Sequence, residues 1–104
     1  LIIPGGRAPE YIRLHPQLKP IVAHFFAADK PVAGICHGVQ VLATVKEYLA
    51  GKELTAYQAC RPDVEALGAV YRKETLYVHD KLVSGHAWPD LPGFMREFIR
   101  LLNK

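Results

Sequence analysis

A cysteine followed directly by a histidine, Cys36-His37, is the pair of residues in this chain best suited to chemistry. An apolar run, Val32–Ile35, leads into the cysteine, and Gly34 and Gly38 stand two positions to either side of it. This order predicts a buried strand, a sharp turn with the thiol at its apex, and then a helix. A thiol that faces the first N–H groups of a helix is pushed toward the thiolate, which is the nucleophilic form. The alternative is a small core cysteine, because free cysteines are often buried.

Composition narrows the class of protein. The 104 residues are 50% hydrophobic and contain no low-complexity segment, which indicates one compact domain or part of a larger one. The net charge is +3, but basic and acidic residues are interleaved, so a nucleic-acid surface is not indicated. Two cysteines, Cys36 and Cys60, cannot form a disulfide framework, and no ligand spacing suggests a metal. We therefore expect no cofactor, a structural role for Cys60 and a reducing, cytoplasmic setting. No apolar stretch is long enough for a membrane span.

Strand-like and helix-like segments alternate along the chain and must position the cysteine. Short apolar runs bounded by turn residues predict strands, and apolar residues at three- and four-residue spacing predict helices. The predicted strands cover residues 1–3, 32–35, 54–57, 69–71, 75–79 and 81–84. The last two strands are predicted to form a hairpin at a sheet edge. The predicted helices begin near Pro9, Pro16, Val39, Pro62 and Leu91. This alternation predicts an α/β sandwich with a mostly parallel sheet. Chemistry in such sheets lies at the carboxyl ends of strands, where both Gly5-Gly6 and Cys36-His37 stand.

Motifs along the whole chain resemble those of the DJ-1/PfpI superfamily, namely PGGRAPE at 4–10, KPVA at 30–33, ICHG at 35–38, GK at 51–52 and TAY at 55–57. The resemblance is strongest to the branch of PfpI-like intracellular cysteine proteases and the related glyoxalase III and deglycase proteins. It implies a flavodoxin-like three-layer α/β/α sandwich. Residues 1–104 would form the C-terminal two thirds or so of a single DJ-1/PfpI-like, class I glutamine amidotransferase-like domain.

The start of the chain matters for this resemblance. Leu1-Ile2-Ile3 opens directly on a strand, and a parallel strand buried on both faces needs neighbours. The N-terminal strands of the family domain have no match in this chain, and neither has a family glutamate that hydrogen-bonds the cysteine sulfur. We therefore expect the chain to be part of a longer polypeptide.

Residue roles follow from the resemblance at the matching positions. It makes Cys36 the nucleophile and His37 its acid/base neighbour. It matches Glu10 to a carboxylate that reaches the histidine of an adjacent subunit, which implies a homo-oligomer, a dimer or larger. Without the resemblance, Glu10 is an exposed acid in the first turn of a helix. The backbone N–H groups of Gly5, Gly6 and His37 are candidates for an oxyanion hole, because residues without Cβ allow a backbone to approach a substrate closely.

Further candidates lie around the expected pocket. His86 and Trp88 belong to the loop before the last helix, and Arg7 follows the glycine pair. We expect these three residues as possible pocket lining, with Tyr57 near the pocket mouth. Packing in the core or at the rim is the alternative for the aromatic residues.

Three functions compete for this one cysteine site. The first is an enzyme in which Cys36 adds to small dicarbonyls, converting methylglyoxal to lactate without glutathione (glyoxalase III) or repairing glycated groups (deglycase). The second is an intracellular cysteine peptidase of the PfpI type, which needs an oxyanion hole and a cleft that holds a peptide. The third is a non-enzymatic stress or redox sensor, in which Cys36 is reversibly oxidised.

Overall fold

The main sheet has four strands in the order β1-β2-β6-β5, and a separate small sheet pairs β3 with β4. The computed structural model describes all residues from Leu1 to Lys104. Strands β1, β2 and β6 run parallel, and β5 runs antiparallel to β6 as the edge-strand hairpin predicted above. The strands are β1 Ile2–Ile3, β2 Val32–Ile35, β3 Glu53–Leu54, β4 Val70–Tyr71, β5 Leu76–His79 and β6 Leu82–Gly85. The predicted α/β class with a mostly parallel sheet is confirmed.

Six α-helices and four short 3₁₀ turns connect the strands. The helices are α1 Ala8–Ile12, α2 Leu18–Ala27, α3 Val39–Leu42, α4 Lys46–Leu49, α5 Arg61–Ala66 and α6 Leu91–Leu102. The 3₁₀ turns are Cys36–Gly38, Ala43–Val45, Gln58–Cys60 and Trp88–Asp90. None of these helices combines the length and the apolar character that a membrane crossing requires.

The two faces of the sheet belong to two different cores, because successive strand residues point to opposite sides. Val32 and Leu82 face a larger core that α2, α3 and α5 help to build. Ala33 and Val83, the next residue of each strand, pack with Phe94 of α6 on the opposite face. Helices on both faces make three layers, with the sheet in the middle. Burial on both faces explains the continuous apolar run of β2.

Strand register brings the two predicted site segments together. Ile3 at the end of β1 lies opposite Gly34 of β2, and Ile35 at the end of β2 lies opposite Gly85 of β6. All three strands are parallel, so their carboxyl ends meet at one edge of the sheet. The segments that follow β1 and β2, with the glycine pair and the cysteine, are therefore neighbours.

The prediction of one continuous helix after the cysteine is wrong. The chain is helical from Cys36 to Leu49, but in four short pieces that alternate between 3₁₀ and α geometry. The Thr44 hydroxyl donates a hydrogen bond of 2.8 Å to the carbonyl of Val41. Val45 leaves the helical region with φ −118° and ψ 51°. A side-chain hydroxyl that bonds to the nearby backbone weakens a regular helix. β-Branched residues such as Thr44 and Val45 weaken it as well.

The predicted strand at 54–57 is too long, since β3 ends at Leu54. The N–H of Thr55 donates to the hydroxyl of buried Ser84 at 2.9 Å instead of to a strand carbonyl. The Ser84 hydroxyl in turn donates to the carbonyl of Tyr77 at 3.3 Å. Ser84 therefore holds the segment after β3 against the main sheet.

We predict that Ser84→Ala destabilises the protein by about 1–3 kcal/mol, because it leaves the buried Thr55 N–H without an acceptor. The free energy of unfolding in urea, measured on the intact protein, checks this. Thr44→Ala is the control, since it removes a half-buried hydroxyl donor and leaves no buried N–H unpaired. An equal loss in both variants would contradict a special role for Ser84.

Two helical glycines give a second stability prediction. A Cβ at Gly38 would stand 2.9 Å from the carbonyl oxygen of Ile3, whereas a Cβ at Gly93 would meet only the tip of the Leu76 side chain, at 3.0 Å. A side-chain tip can move, but the backbone of β1 is held in the sheet. We expect Gly38→Ala to cost about 1–3 kcal/mol. For Gly93→Ala, the gain in helix propensity of up to about 1 kcal/mol offsets the cost of the close contact with the Leu76 side chain. Urea denaturation of both variants tests this, and similar midpoints would refute it.

Candidate active site

Cys36 stands at a sharp backbone turn between β2 and the first 3₁₀ turn. Its φ is 60°, whereas Ile35 before it is extended, with φ −126°. This left-handed conformation is uncommon for a residue with a Cβ and costs about 1–3 kcal/mol. The structure thus contains the strained turn that the sequence predicts, with the thiol at its apex and half-buried.

Gly5 explains how the thiol can sit between two strand ends. A Cβ at Gly5 would stand 2.7 Å from Cys36 Cβ and 3.3 Å from Cys36 Sγ. It would also come within 3.1 Å of the carbonyl oxygen of Ile35. The next residue, Gly6, has a φ of 80°, which glycine adopts without strain. The backbone after β1 therefore runs directly beside the sulfur, at a distance that only glycine permits.

His37 is the titratable partner of the thiol. Its Nδ1 lies 3.3 Å from Cys36 Sγ, and both residues are half-buried. An imidazole at this distance can take the thiol proton and leave a thiolate beside an imidazolium. Adjacent residues achieve this contact because the turn at Cys36 directs the two side chains to the same side.

Three rings form a continuous stack behind the cysteine. His37 stacks on Tyr57 with ring centroids 5.3 Å apart and planes inclined by 23°. Tyr57 stacks on His86 at the same spacing and an inclination of 22°. The Tyr57 N–H donates to the carbonyl of Cys36 at 3.3 Å, and the Tyr57 carbonyl accepts from the N–H of Cys60 at 2.7 Å. The stack orients the His37 ring, a role that sequence reasoning missed for Tyr57.

A cavity of about 200 Å³ opens at the thiol. Its walls are Pro4, Gly5, Gly6, Ile35, Cys36, Trp88 and Leu91. Trp88 stands at the cavity with 81% of its surface exposed. Leu91 was not a sequence candidate; the only signal for it is its position directly after the turn that carries Trp88. The size suits a ligand of a few heavy atoms.

The other candidates lie in different places. Glu10 is on α1, where its carboxylate is 3.7 Å from the guanidinium of Arg7, and it forms no bond to His37 within the chain. Arg7 has 85% of its side chain exposed and lies outside the walls of the cavity. His86 is likewise absent from these walls and lines a neighbouring cavity. The oxyanion-hole role of Gly5, Gly6 and His37 stays a prediction, as does the reach of Glu10 to a neighbouring subunit.

The two cysteines are in different environments. Cys60 is 2% exposed and forms part of the larger core. Burial, together with the nearby Asp63 carboxylate, raises the pKa of the Cys60 thiol to about 11. Cys60 is therefore a neutral thiol at ordinary pH, and neutral thiols are poor nucleophiles. Cys36 is the thiol that is both accessible and next to a base.

Known proteins are similar to this chain in sequence and in fold. The sequence profile of the DJ-1/PfpI family matches residues 1–101. Protein DJ-1 homolog D of Arabidopsis thaliana is 41% identical over 99% of this chain and 27% of its own length. Deglycase PfpI of Pyrococcus furiosus is 39% identical over 99% of this chain and 61% of its own length. The chain therefore spans only part of the curated relatives that it matches.

A solved structure agrees with the sequence relationship. A two-domain protein of Anabaena variabilis, with DJ-1/ThiJ/PfpI-like and ferritin-like domains, superposes with a TM-score of 0.93 at 34% sequence identity. The match covers 98% of this chain and 29% of the Anabaena chain. With its strained cysteine turn, its glycine pair and a family match over nearly its whole length, the chain belongs to the DJ-1/PfpI family.

Proposed function

We propose that this protein is a cysteine-dependent enzyme of the glyoxalase III or deglycase type, which acts on small reactive dicarbonyls without glutathione. The observation that carries the proposal is the Cys36 thiol, 3.3 Å from His37 Nδ1, facing a cavity of about 200 Å³. Relatives that are 38–41% identical support it: one is named a DJ-1 homolog and others are named deglycases.

The first step forms a bond between sulfur and the aldehyde carbon of methylglyoxal. His37 takes the thiol proton, and the sulfur lone pair attacks the aldehyde carbon. The carbonyl oxygen gains negative charge, and the N–H groups of Gly5, Gly6 and His37 would stabilise it as an oxyanion hole. Return of the proton to that oxygen gives a hemithioacetal on Cys36.

The second step moves hydrogen between the two substrate carbons. A base removes the proton from the former aldehyde carbon and returns it to the neighbouring ketone carbon, which leaves a lactoyl thioester. Water then cleaves the carbon–sulfur bond, releasing lactate and restoring the thiol. One methylglyoxal and one water together contain the atoms of one lactic acid. The reaction therefore needs no glutathione and no oxidant. The same addition to a glycated amine or thiol would be measured as deglycase activity.

Glu10 has a place in this proposal through oligomer formation. Its side chain is 37% exposed on α1 and makes no bond to the histidine of its own chain. We propose that in a homo-oligomer, a dimer or larger, Glu10 reaches His37 of the neighbouring copy. A carboxylate there would orient the imidazole and stabilise its protonated form. A reducing, cytoplasmic setting suits two free thiols.

Cavity size favours a small carbonyl compound over a peptide. A peptidase needs a cleft that holds several residues, whereas the cavity at Cys36 has a volume of only about 200 Å³. Hydrolysis of a peptide would also need a general acid for the amine that leaves. Peptidase and redox-sensor functions are the alternatives that the next experiment separates from dicarbonyl turnover.

We predict that Cys36→Ala abolishes lactate formation from methylglyoxal, with a loss of at least about 100-fold in kcat/KM, because the variant has no nucleophile. The assay is glutathione-free methylglyoxal consumption with lactate detection, on the intact, reduced protein. Cys60→Ala is the matched control and should retain turnover, since that thiol is buried and neutral. No lactate from a folded wild type would overturn the function; lactate from Cys36→Ala would overturn the role of Cys36.

Alkylation of the two thiols gives a separate prediction. At pH 8 iodoacetamide should modify Cys36 in the native protein and leave Cys60 unmodified, because Cys60 is 2% exposed and its pKa is about 11. Below that pKa Cys60 remains mostly protonated, so its reactivity should increase only in strongly alkaline solution or in denaturant. Peptide mass spectrometry over time measures both sites. Equal native rates would show that Cys60 is accessible.

A further inference from the structure

A second cavity, of about 440 Å³, lies on the far side of the ring stack from Cys36. Its lining residues all carry hydrogen-bond donors, and none carries a carboxylate: Gln58, Arg61, Tyr71, Lys73, Thr75 and His86. No residue of this set also lines the cavity at the thiol. The two cavities are thus separate, and they differ in chemistry: one is mainly apolar, the other rich in donors.

Two cations of this cavity have free hydrogen-bonding capacity. Lys73 is exposed and forms no ion pair within the chain. Arg61 contacts Glu65 through Nε, at 3.4 Å, so its two terminal nitrogens have no bond within the chain. The Arg61 guanidinium also lies 5.4 Å from the centroid of the Tyr71 ring, which limits its orientation.

The acid next to Lys73 in the chain is committed to another residue, whereas Glu65 pairs with Arg61 itself. Glu74, next to Lys73, accepts two hydrogen bonds from Arg72, at 2.9 and 3.1 Å. Hydrogen bonding to Arg72 holds the pKa of Glu74 below its ordinary value. Arg72 also donates to Glu53 at 3.1 Å. The positive charge of Lys73 is therefore not cancelled by a carboxylate in the cavity.

A third cavity, of about 610 Å³, differs from the cavity beside His86 because acids line it as well as lysines. It contains four lysines, but also the acids Asp29, Glu47 and Asp80. These acids are ion-paired with Lys81, Lys19 and Lys52, at 2.9, 3.6 and 3.9 Å. Each acid of that cavity is thus paired with a lysine, whereas no acid lines the cavity beside His86, where Arg61 pairs with Glu65 outside the lining and Lys73 has no ion pair.

We propose that the cavity beside His86 binds an oxyanion, a phosphate or carboxylate group of a small ligand. A guanidinium with free terminal nitrogens and an unpaired ammonium are the side chains that recognise such groups, through short, charge-assisted hydrogen bonds. Gln58, Thr75 and His86 add neutral or titratable donors around them. The set is poorly suited to a metal cation, because it contains no carboxylate.

The position of the cavity links it to the cysteine site. His86 is one wall of the cavity and the last ring of the stack that reaches His37 in two steps of 5.3 Å. The His86 N–H donates to the carbonyl of Thr75 at 2.9 Å, which joins two cavity residues. The oxyanion can come from a free anion or from the charged end of a substrate whose carbonyl lies at Cys36. Only this last possibility rests on the proposed function.

Calorimetric titration with inorganic phosphate tests the cavity independently of turnover. The intact Cys36→Ala protein serves as background, at constant ionic strength. In this background, Lys73→Gln should weaken phosphate binding about tenfold. Combining Lys73→Gln with Arg61→Gln should weaken phosphate binding further. Lys46→Gln is the matched control, because Lys46 is exposed, forms no ion pair and lines none of these cavities; its affinity should stay within about twofold. Absence of phosphate binding, or equal weakening by Lys46→Gln, overturns the proposal.

A second measurement identifies the source of the oxyanion. The methylglyoxal adducts of serine and of O-phosphoserine are compared as substrates of the protein with Cys36 intact, with and without phosphate. Selective inhibition of the phosphoserine adduct by phosphate supports the charged end of a substrate as the occupant. Bound phosphate that leaves both rates unchanged supports a free anion. Absence of turnover with phosphate still bound refutes the proposed function and leaves the oxyanion site in place.

Discussion

The close approach of two strand ends is the constraint on which the site depends. The backbone after β1 passes so near the end of β2 that a Cβ at Gly5 would lie 2.7 Å from Cys36 Cβ. Gly38 allows the same approach from the other side, because the 3₁₀ turn packs against the carbonyl of Ile3. The thiol is held between these segments in a strained turn with φ 60°. Packing of both sheet faces supplies the stability that this strain requires.

The same constraint determines which groups surround the sulfur. Since β1 and β2 are parallel neighbours, backbone N–H groups and the thiol emerge at one edge of the sheet. His37 follows the turn directly, so its Nδ1 comes to 3.3 Å from Sγ without help from another element. Its ring orientation, by contrast, depends on Tyr57 and His86, which come from different parts of the chain. The contact between thiol and imidazole is a local feature, and the surroundings of the imidazole ring are a tertiary one.

The electrostatic environments on the two sides of the ring stack differ. The Cys36 side is small and mainly apolar. The opposite side presents Lys73, which has no ion pair, and Arg61, which contacts Glu65 only through Nε. His86 has one ring face in the stack and belongs to the second cavity, so it lies between the two environments. A ligand with a carbonyl at one end and an anion at the other would match both.

The sequence by itself determined the local features of this protein. Glycines and prolines at strand ends, with apolar periodicity between them, were enough to predict β2, the turn at Cys36, the β5–β6 hairpin and helix α6 from Leu91 to Leu102. Only the tertiary structure decided the early end of β3, the exposed position of Arg7 and the ring stack. The bond from Thr55 to Ser84, for example, joins residues 29 positions apart. Such contacts depend on how strands and helices pack, and no local pattern encodes that packing.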